Sequence, residues 1–352
     1  MMDFGVAFPS RVGDHGLVRL AEGLGYAQAW FYDSQMIYSD VYATMALAAD
    51  RTSTIRLGTG VAVVTTRMAP VIAHSIATIN QLAPGRVELG IAAGNTARLT
   101  MGLPPAKFSR LRDDVRLIRR LLDGETAVLK DEGGEHRVRF LHPDRGFINL
   151  RDRIPITLSA FRPKGIELCG AECDGHMVWG LSPELVAMFR AGVEAAAEAA
   201  GRRSDDVPMK GIYPTVVLRP GETSASARVL ASAESFMTNA LHFLIEWGSA
   251  PVVIPPEAEE SVERYRAYVA GLPAEERHLI LHEGHLIYAR PEEREFLTPA
   301  LAETAANIAE PDELINRIRS LEEAGLSHYA IQVTDDPERQ LREFAEQVIA
   351  RY

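Results

Sequence analysis

The residues of this chain whose types and spacing could do chemistry lie where short apolar runs end. The segment SAFRPKG, residues 159–165, places Arg162 and Lys164 where a strand runs into a helix opened by Pro163. First-turn amides have no partner within a helix, and the positive helix end favours an anion, so Ser159, Ala160, Phe161 and Gly165 would frame a phosphate site. The plainer reading is an ordinary strand-to-helix turn with exposed basic residues. Two other strand ends finish in small residues: Gly58, Gly60 and Ala62, then Ala92, Ala93 and Gly94. There the backbone can lie close against a ligand. Residues 27–32 form an aromatic-rich strand that delivers Asp33 and Ser34 to its end; Asp33 is either a site carboxylate or a loop cap or salt bridge.

HEGH at 282–285 sets His282 and His285 three apart. This is not the spacing of a zinc helix, and Gly284 argues against an unbroken helix, so no metal site is expected. His285 is either a proton donor facing a pocket or a structural histidine. Cys169 and Cys173, the only cysteines, are four apart on an expected helix; without a matching Cys or His pair they read as small buried residues. Tyr213, Trp179 and His176 fall at or near strand ends, where they either line a pocket or pack.

The elements that must position these groups follow from periodicity. Ile55, Leu57, Val61 and Val63 alternate as in a strand, Val71, Ile72, Ser75, Ile76 and Ile79 recur at helical spacing, and residues 87–92 are a second strand, which makes a βαβ unit. Further strands are expected at 3–8, 156–159, 175–179, 209–218 and 329–333, with helices at 111–122, 163–171, 182–200, 311–323 and 337–350. Ser182 is the expected N-cap of the third of these, at 182–200. AEGLGYAQAW at 21–30 and EEAGLSHYAIQ at 322–332 nearly repeat, each placing Leu near a glycine between helix and strand. About eight such units imply an α/β fold, a (β/α)8 TIM barrel with insertions, as one domain over 1–352. An open doubly wound sheet is the alternative. A polar excursion at 123–153 and an irregular cap or oligomer surface at 225–300, interrupted by APVVIPP, are expected near one end of the barrel.

LGTGV, Pro70, INQLAPGR and LGIAAGN, together with DFGVAF, FYDS, SAFRPKGIELCGAECDG and EEAGLSHYAIQV, resemble in order the luciferase-like monooxygenase and F420-dependent oxidoreductase superfamily, most of all its methylenetetrahydromethanopterin reductase-like branch. The resemblance covers the chain except about 225–300. It implies a bacterial luciferase-like barrel and a cofactor held by Asp33, by a bulge at Gly60, Val61 and Ala62 with a cis Gly60–Val61 peptide, by Gly94 and Asn95, and by the phosphate segment 159–165. It also implies differences. Asn95 stands where relatives carry an acid, Ser34 where a sugar-phosphate dehydrogenase branch has a catalytic histidine, and Ala7 where the methanopterin reductases have a glutamate. Phe161 and Arg162 replace frequent glycines.

The reading that follows is a hydride-transfer enzyme using F420 on a small organic substrate, with Asp33 and His285 as candidate catalytic groups. FMN with oxygen, as in a monooxygenase, is the alternative cofactor chemistry; a non-catalytic flavin-binding protein is another. A flavin or F420 reductase would supply reduced cofactor. With 352 residues, 47% hydrophobic composition and a formal charge of −11, the chain can bury a large core and lacks the basic surface that nucleic acid requires. No run is apolar enough to span a membrane and none reads as an export leader, so a cytoplasmic protein is expected. Small residues on the helices at 42–49 and 71–82 (Ala43, Ala46, Ala48, Ala49, Ala73, Ala77) suggest close helix approach in a homodimer.

Overall fold

The computed structural model describes residues 2–247, 254 and 256–352. Eight parallel strands close into a barrel: β1 Asp3–Phe8, β2 Gln28–Phe31, β3 Arg56–Thr59, β4 Val87–Ala92, β5 Ile156–Ser159, β6 Gly175–Trp179, β7 Met209–Val217 and β8 Leu326–Gln332. Each pairs with the next in the chain, and β8 pairs with β1 to close the ring. Their helices lie outside: α1 His15–Gly23, α2 Val41–Arg51, α3 Ala69–Leu82, α4 Phe108–Leu122, α5 Pro163–Glu172, α6 Pro183–Ala199, α7 Pro311–Glu323 and α8 Pro337–Gln347. Ser182 caps α6, accepting from the Leu185 amide, and Asp40 caps α2 through the Tyr42 and Ala43 amides. The doubly wound alternative is excluded by closure.

Two expectations need correction. The excursion at 123–153 forms an antiparallel hairpin, Ala127–Asp131 with Gly134–Val138, and its return is tied to the C-terminal end of α3: the Asn149 amide donates to the Ala77 carbonyl, and Asn80 Nδ2 to the Asn149 and Asp152 carbonyls. A helix that runs antiparallel to its strands ends at the N-terminal side of the barrel, whereas the cap leaves β7 at the opposite side. The two insertions therefore lie at opposite ends. The cap is also mostly regular, with helices Ala227–Trp247, Pro256–Ala270, Arg277–His282 and Pro299–Ala305, followed by a short strand Asn307–Ala309 that adds to β7. Most of APVVIPP, residues 250–256, falls outside the described residues. A dedicated apolar cluster, including Phe236, Tyr265, Leu286 and Phe296, joins the cap to Trp30, Tyr32 and Met177 of the barrel.

The small helix residues are largely committed within the chain itself. Ala48, Ala49, Ala73 and Ala77 are buried, as are both cysteines. Ala43, Leu47, Val71 and Leu82 remain exposed on the outer faces of α2 and α3.

Inside the barrel, Glu88 of β4 is buried and takes Lys210 Nζ of β7 at 2.6 Å on both oxygens, Gln28 Nε2 of β2 at 2.9 Å, and the Thr157 hydroxyl of β5. Lys210 lies 5.4 Å over the Trp30 ring, whose Nε1 donates to His328 Nε2 of β8 at 3.0 Å. Burial acts to raise the Glu88 carboxyl, but Lys210 and the two other donors outweigh it, so the carboxyl sits below its ordinary value.

Removing one partner strands a buried charge, so Lys210→Met or Glu88→Gln should each lower unfolding free energy by about 3–5 kcal/mol, while the double variant Glu88→Leu, Lys210→Met should lose less than either single change. Because the folded carboxyl lies below its unfolded value near ~4.3, its contribution is complete above that value and disappears as pH falls through the folded one. Denaturation midpoints should therefore fall more steeply on acidification in wild type than in Glu88→Gln. A single variant as stable as wild type would remove the pair from the account.

Candidate active site at the barrel mouth

The site is built where β2 to β6 end. After β3 the chain makes the cis Gly60–Val61 peptide, and a two-residue strand, Ala62–Val63, then returns to pair with the end of β4. The Gly60 amide donates to the Phe31 carbonyl at 2.6 Å, and Thr59 Oγ1 to the Gly90 carbonyl, so neighbouring strands hold this bulge from both sides. Gly94 has φ +77, and a Cβ there would stand 2.0 Å from Val63 Cγ1, so the close approach requires glycine. Val61, Ala92, Ala93, Asn95, Ser159 and Ala160 are half-buried along three adjacent strand ends. They form a strip of small side chains and backbone. Asn95 opens a short helical turn without capping it, and its amide side chain has no hydrogen-bond partner among the described residues.

Asp33 does not present a free carboxylate. It is buried, with Arg67 Nη1 at 2.9 and 2.7 Å from its two oxygens and Gln35 Nε2 at 2.6 Å from the first. The Val63 amide bonds it too. Burial raises the Asp33 carboxyl, with Arg67 opposing. Arg67 also meets Asp40 at 2.6 Å and lies 5.1 Å over the Tyr42 ring. The salt-bridge reading of Asp33 is thus the one realised, and its effect is to fasten the bulge loop to the end of β2 and the start of α2. Sequence reasoning passed over Arg67; one acid placed at a strand end, with a lone arginine after the bulge, was its only signal.

His285 is not brought to Asp33. It lies in the cap with its ring 5.7 Å from His282, which is itself 6.4 Å from His242. Its Nδ1 is buried without a partner, and burial, then the two neighbouring histidines, push its pKa far below the usual value. Gly284, with φ +77, ends the helix as expected. The segment nonetheless touches the mouth, because Tyr38 Oη donates to the His285 carbonyl at 2.8 Å. His242 and Tyr265 both bond Glu293. Among the described residues no group of three or more His, Cys, Asp or Glu is arranged to hold a metal ion.

The phosphate segment sits at the end of β5. Arg162 and Lys164 are exposed and form no ion pair among the described residues, which leaves both charges uncommitted. The helix start offers fewer amides than the motif promises: Pro163 has none, and those of Gly165 and Ile166 return to the Arg162 carbonyl at 2.9 and 3.1 Å. The Lys164 amide is the free one of that turn. Buried His176 holds the segment from below. Burial lowers its pKa, so it is neutral, and its Nε2 meets the Ala160 carbonyl at 2.7 Å. Phe189 packs edge-on to Phe161 and His176, both at 5.9 Å. Tyr213 stacks on Tyr329 at 4.5 Å and is packing, whereas Trp179 is half-buried at the mouth, 6.1 Å from Tyr32.

A strip of small, half-buried residues with an unpaired amide side chain, flanked by two uncommitted cations, fits a planar ring system carrying a phosphate. The luciferase-like monooxygenase family model matches residues 13–328. A 5,10-methylenetetrahydromethanopterin reductase of Methanolobus tindarius is 30% identical over 191 residues, 54% of this chain and 56% of that protein. The match thus spans little more than half of that relative's length. An F420-dependent glucose-6-phosphate dehydrogenase of Microbacterium testaceum is 28% identical over 313 residues, 79% of this chain and 88% of that protein. Of solved structures, the coenzyme F420 dependent tetrahydromethanopterin reductase of Methanopyrus kandleri aligns with TM-score 0.71 at 20% identity, over 100% of this chain and 99% of that one, which shows the shared fold. Among the described residues no helix is long and apolar enough to cross a membrane.

The two cations give the site a direct test. A charge-assisted contact is worth about 1.5–3 kcal/mol, so Arg162→Gln, Lys164→Gln should raise the dissociation constant for a phosphate-bearing flavin or deazaflavin about tenfold or more and flatten its salt dependence. Thermal stability should be unchanged, since exposed charges contribute little to it. Equal affinity at low and high salt would show that these side chains point elsewhere.

Proposed function

The chain belongs to the luciferase-like monooxygenase family, and from that premise we propose that it is an oxidoreductase using the deazaflavin F420 to transfer hydride to or from a small organic substrate. The observation that carries this reading is the pairing of the small-residue strip at 60–62 and 92–95 with the uncommitted cations Arg162 and Lys164 on the neighbouring strand end. The F420-dependent relatives that match over most of their own length support the choice of cofactor.

When bound, F420 supplies or accepts the hydride. The chain's own residues do the rest. Backbone at Gly60, Val61, Ala62 and Gly94 would support the ring face, Asn95 would bond a ring carbonyl or N–H, and Arg162, Lys164 and the Lys164 amide would hold the phosphate, with Ser159 and Ala160 between. Asp33 and Arg67 keep the bulge in place, which makes Asp33 a positioning residue. The cap helices cover the mouth and limit water, which strengthens polar contacts beneath them. Reduced cofactor would come from a separate F420 or flavin reductase, and subunits would pair through the exposed faces of α2 and α3.

Equilibrium titration with F420 and FMN, each oxidised and reduced, tests the assignment. F420 should bind at least about tenfold tighter than FMN, a difference of about 1.4 kcal/mol. Preference for FMN would assign the mouth to a flavin monooxygenase instead, and binding of neither would defeat the cofactor reading altogether.

A further inference from the structure

We propose that the Tyr32 phenol is the proton donor of this site and that the substrate is an uncharged carbonyl compound, an aryl ketone or cyclic enone, held against Tyr32, Tyr38 and Trp179. The inference rests on the reading of the chain as a hydride-transfer enzyme. Tyr32 follows the last residue of β2, yet its ring lies 6.1 Å from Trp179 at the end of β6, which stands four strands away around the barrel. The side chain therefore reaches across the barrel axis at the mouth. Tyr38 packs 5.8 Å from the same ring, and half-buried Val61 of the bulge joins the same apolar cluster.

The Tyr32 hydroxyl accepts a hydrogen bond from Gln332 Nε2, the last residue of β8, at 2.5 Å. No acceptor for the Tyr32 proton itself occurs among the described residues. A partner that donates occupies the phenol oxygen's acceptor side and leaves the O–H free for another group. The other candidates are less suited, His285 because its ring lies in the cap, packed 5.7 Å from His282. Tyr38 gives its proton to the His285 carbonyl, both oxygens of Asp33 are taken by Arg67, and Asn95 is an amide that does not release a proton. Burial pushes the Tyr32 phenol above its usual value, so it stays protonated at neutral pH.

The mouth also selects charge. Arg67 is committed to Asp33 and Asp40, and in the proposed function the cations Arg162 and Lys164, at the end of β5, serve the cofactor phosphate. Among the described residues no Lys or Arg stacks over the Tyr32, Tyr38 or Trp179 ring, so a phosphorylated or carboxylated substrate would find no counter-ion in contact with them. In the step, hydride from the reduced deazaflavin forms a C–H bond at the carbonyl carbon, or at the β-carbon of an enone. The C=O π pair moves onto oxygen, directly or through the conjugated C=C. The Tyr32 O–H bond breaks to protonate that oxygen, and the phenolate regains a proton from water. The substrate gains two electrons and the deazaflavin loses two.

Acetophenone and 2-cyclohexen-1-one are suitable probes, with binding read from tryptophan fluorescence and hydride transfer read from single-turnover loss of reduced F420. Tyr32→Phe keeps the ring and removes the proton. It should leave the F420 dissociation constant within about twofold, weaken binding of the reduced probe about two- to tenfold, and slow hydride transfer about 10²–10⁴-fold. Gln332→Glu keeps the shape but turns the partner into an acceptor of the phenol proton. Its rate should fall towards that of Tyr32→Phe as pH rises through the carboxyl titration, a profile that a purely structural role would not produce. Wild-type rates in Tyr32→Phe, or an unchanged rate in Gln332→Glu at alkaline pH, would overturn the assignment. So would F420 binding without reduction of either probe, which would discard the substrate class but keep the cofactor reading. Failure to bind F420 would discard both.

Discussion

A carboxylate inside a barrel has to be compensated, and Glu88 sets the terms for this fold. A charge there, without water, would cost far more than any single contact returns, so it is found with Lys210 on both oxygens and with Gln28 and Thr157 filling the remaining positions. Those partners come from β2, β5 and β7, and Trp30 with His328 carries the arrangement to β8. Room for the large groups comes from strand glycines: a Cβ at Gly58 would stand 2.4 Å from the Trp30 ring, and one at Gly5 2.5 Å from the His328 ring. Five of the eight strands are thus registered by one polar layer. The ends of those strands, where the chemistry sits, inherit their heights from it.

The contrast between that layer and the mouth is the informative one. Below, the Glu88 carboxylate and the Lys210 ammonium are saturated; above, the Tyr32 O–H, the Asn95 amide, the Lys164 amide and two cations have no partner among the described residues. Polar groups held in position without partners suit a site in which a ligand completes the hydrogen bonding. The Asp33 and Arg67 pair stands between the two regimes. It is saturated like the interior, but what it fixes is the bulge at the edge of the mouth.

Much of the fold was legible because its signals are local. Alternation at Ile55 to Val63, helical recurrence at Val71 to Ile79, and the Gly25 and Gly325 joints each report one element, and repetition of such units implies closure. The glycine at 94 was legible from the run of small residues at its strand end, and the cis peptide through resemblance. The rest depended on contacts distant in sequence. Lys210 meets Glu88 across 122 residues, Gln332 meets Tyr32 across 300, and Arg67 meets Asp33 across 34, so no window of sequence contains either pair member's reason. The cap misled for a related cause: its helices bury their apolar faces on the barrel and on one another, and the breaks between them obscure their periodicity. His285 drew attention by spacing alone, and the structure gives its imidazole to packing and its carbonyl to Tyr38.

The substituted positions then acquire a physical sense. Ala7, Ser34 and Asn95 stand where resemblance would place proton-handling side chains, and each is too weak an acid or has none to give. A reduction of C=O nevertheless needs a proton for the oxygen, and in the proposed step Tyr32 offers one from the end of β2, two residues before Ser34. A phenol held by an amide remains protonated across a wide pH range, and with a ketone it is still a stronger acid than the alcohol it would help to form, so that transfer runs downhill. Moving the donor from a carboxyl or imidazole to an aromatic ring also changes what surrounds the substrate: the same side chain that supplies the proton supplies apolar surface, with Trp179 and Tyr38 beside it. The absence of acids at Ala7, Ser34 and Asn95 and the aromatic wall of Tyr32, Tyr38 and Trp179 meet in one mouth, and together they favour an uncharged substrate over a sugar phosphate.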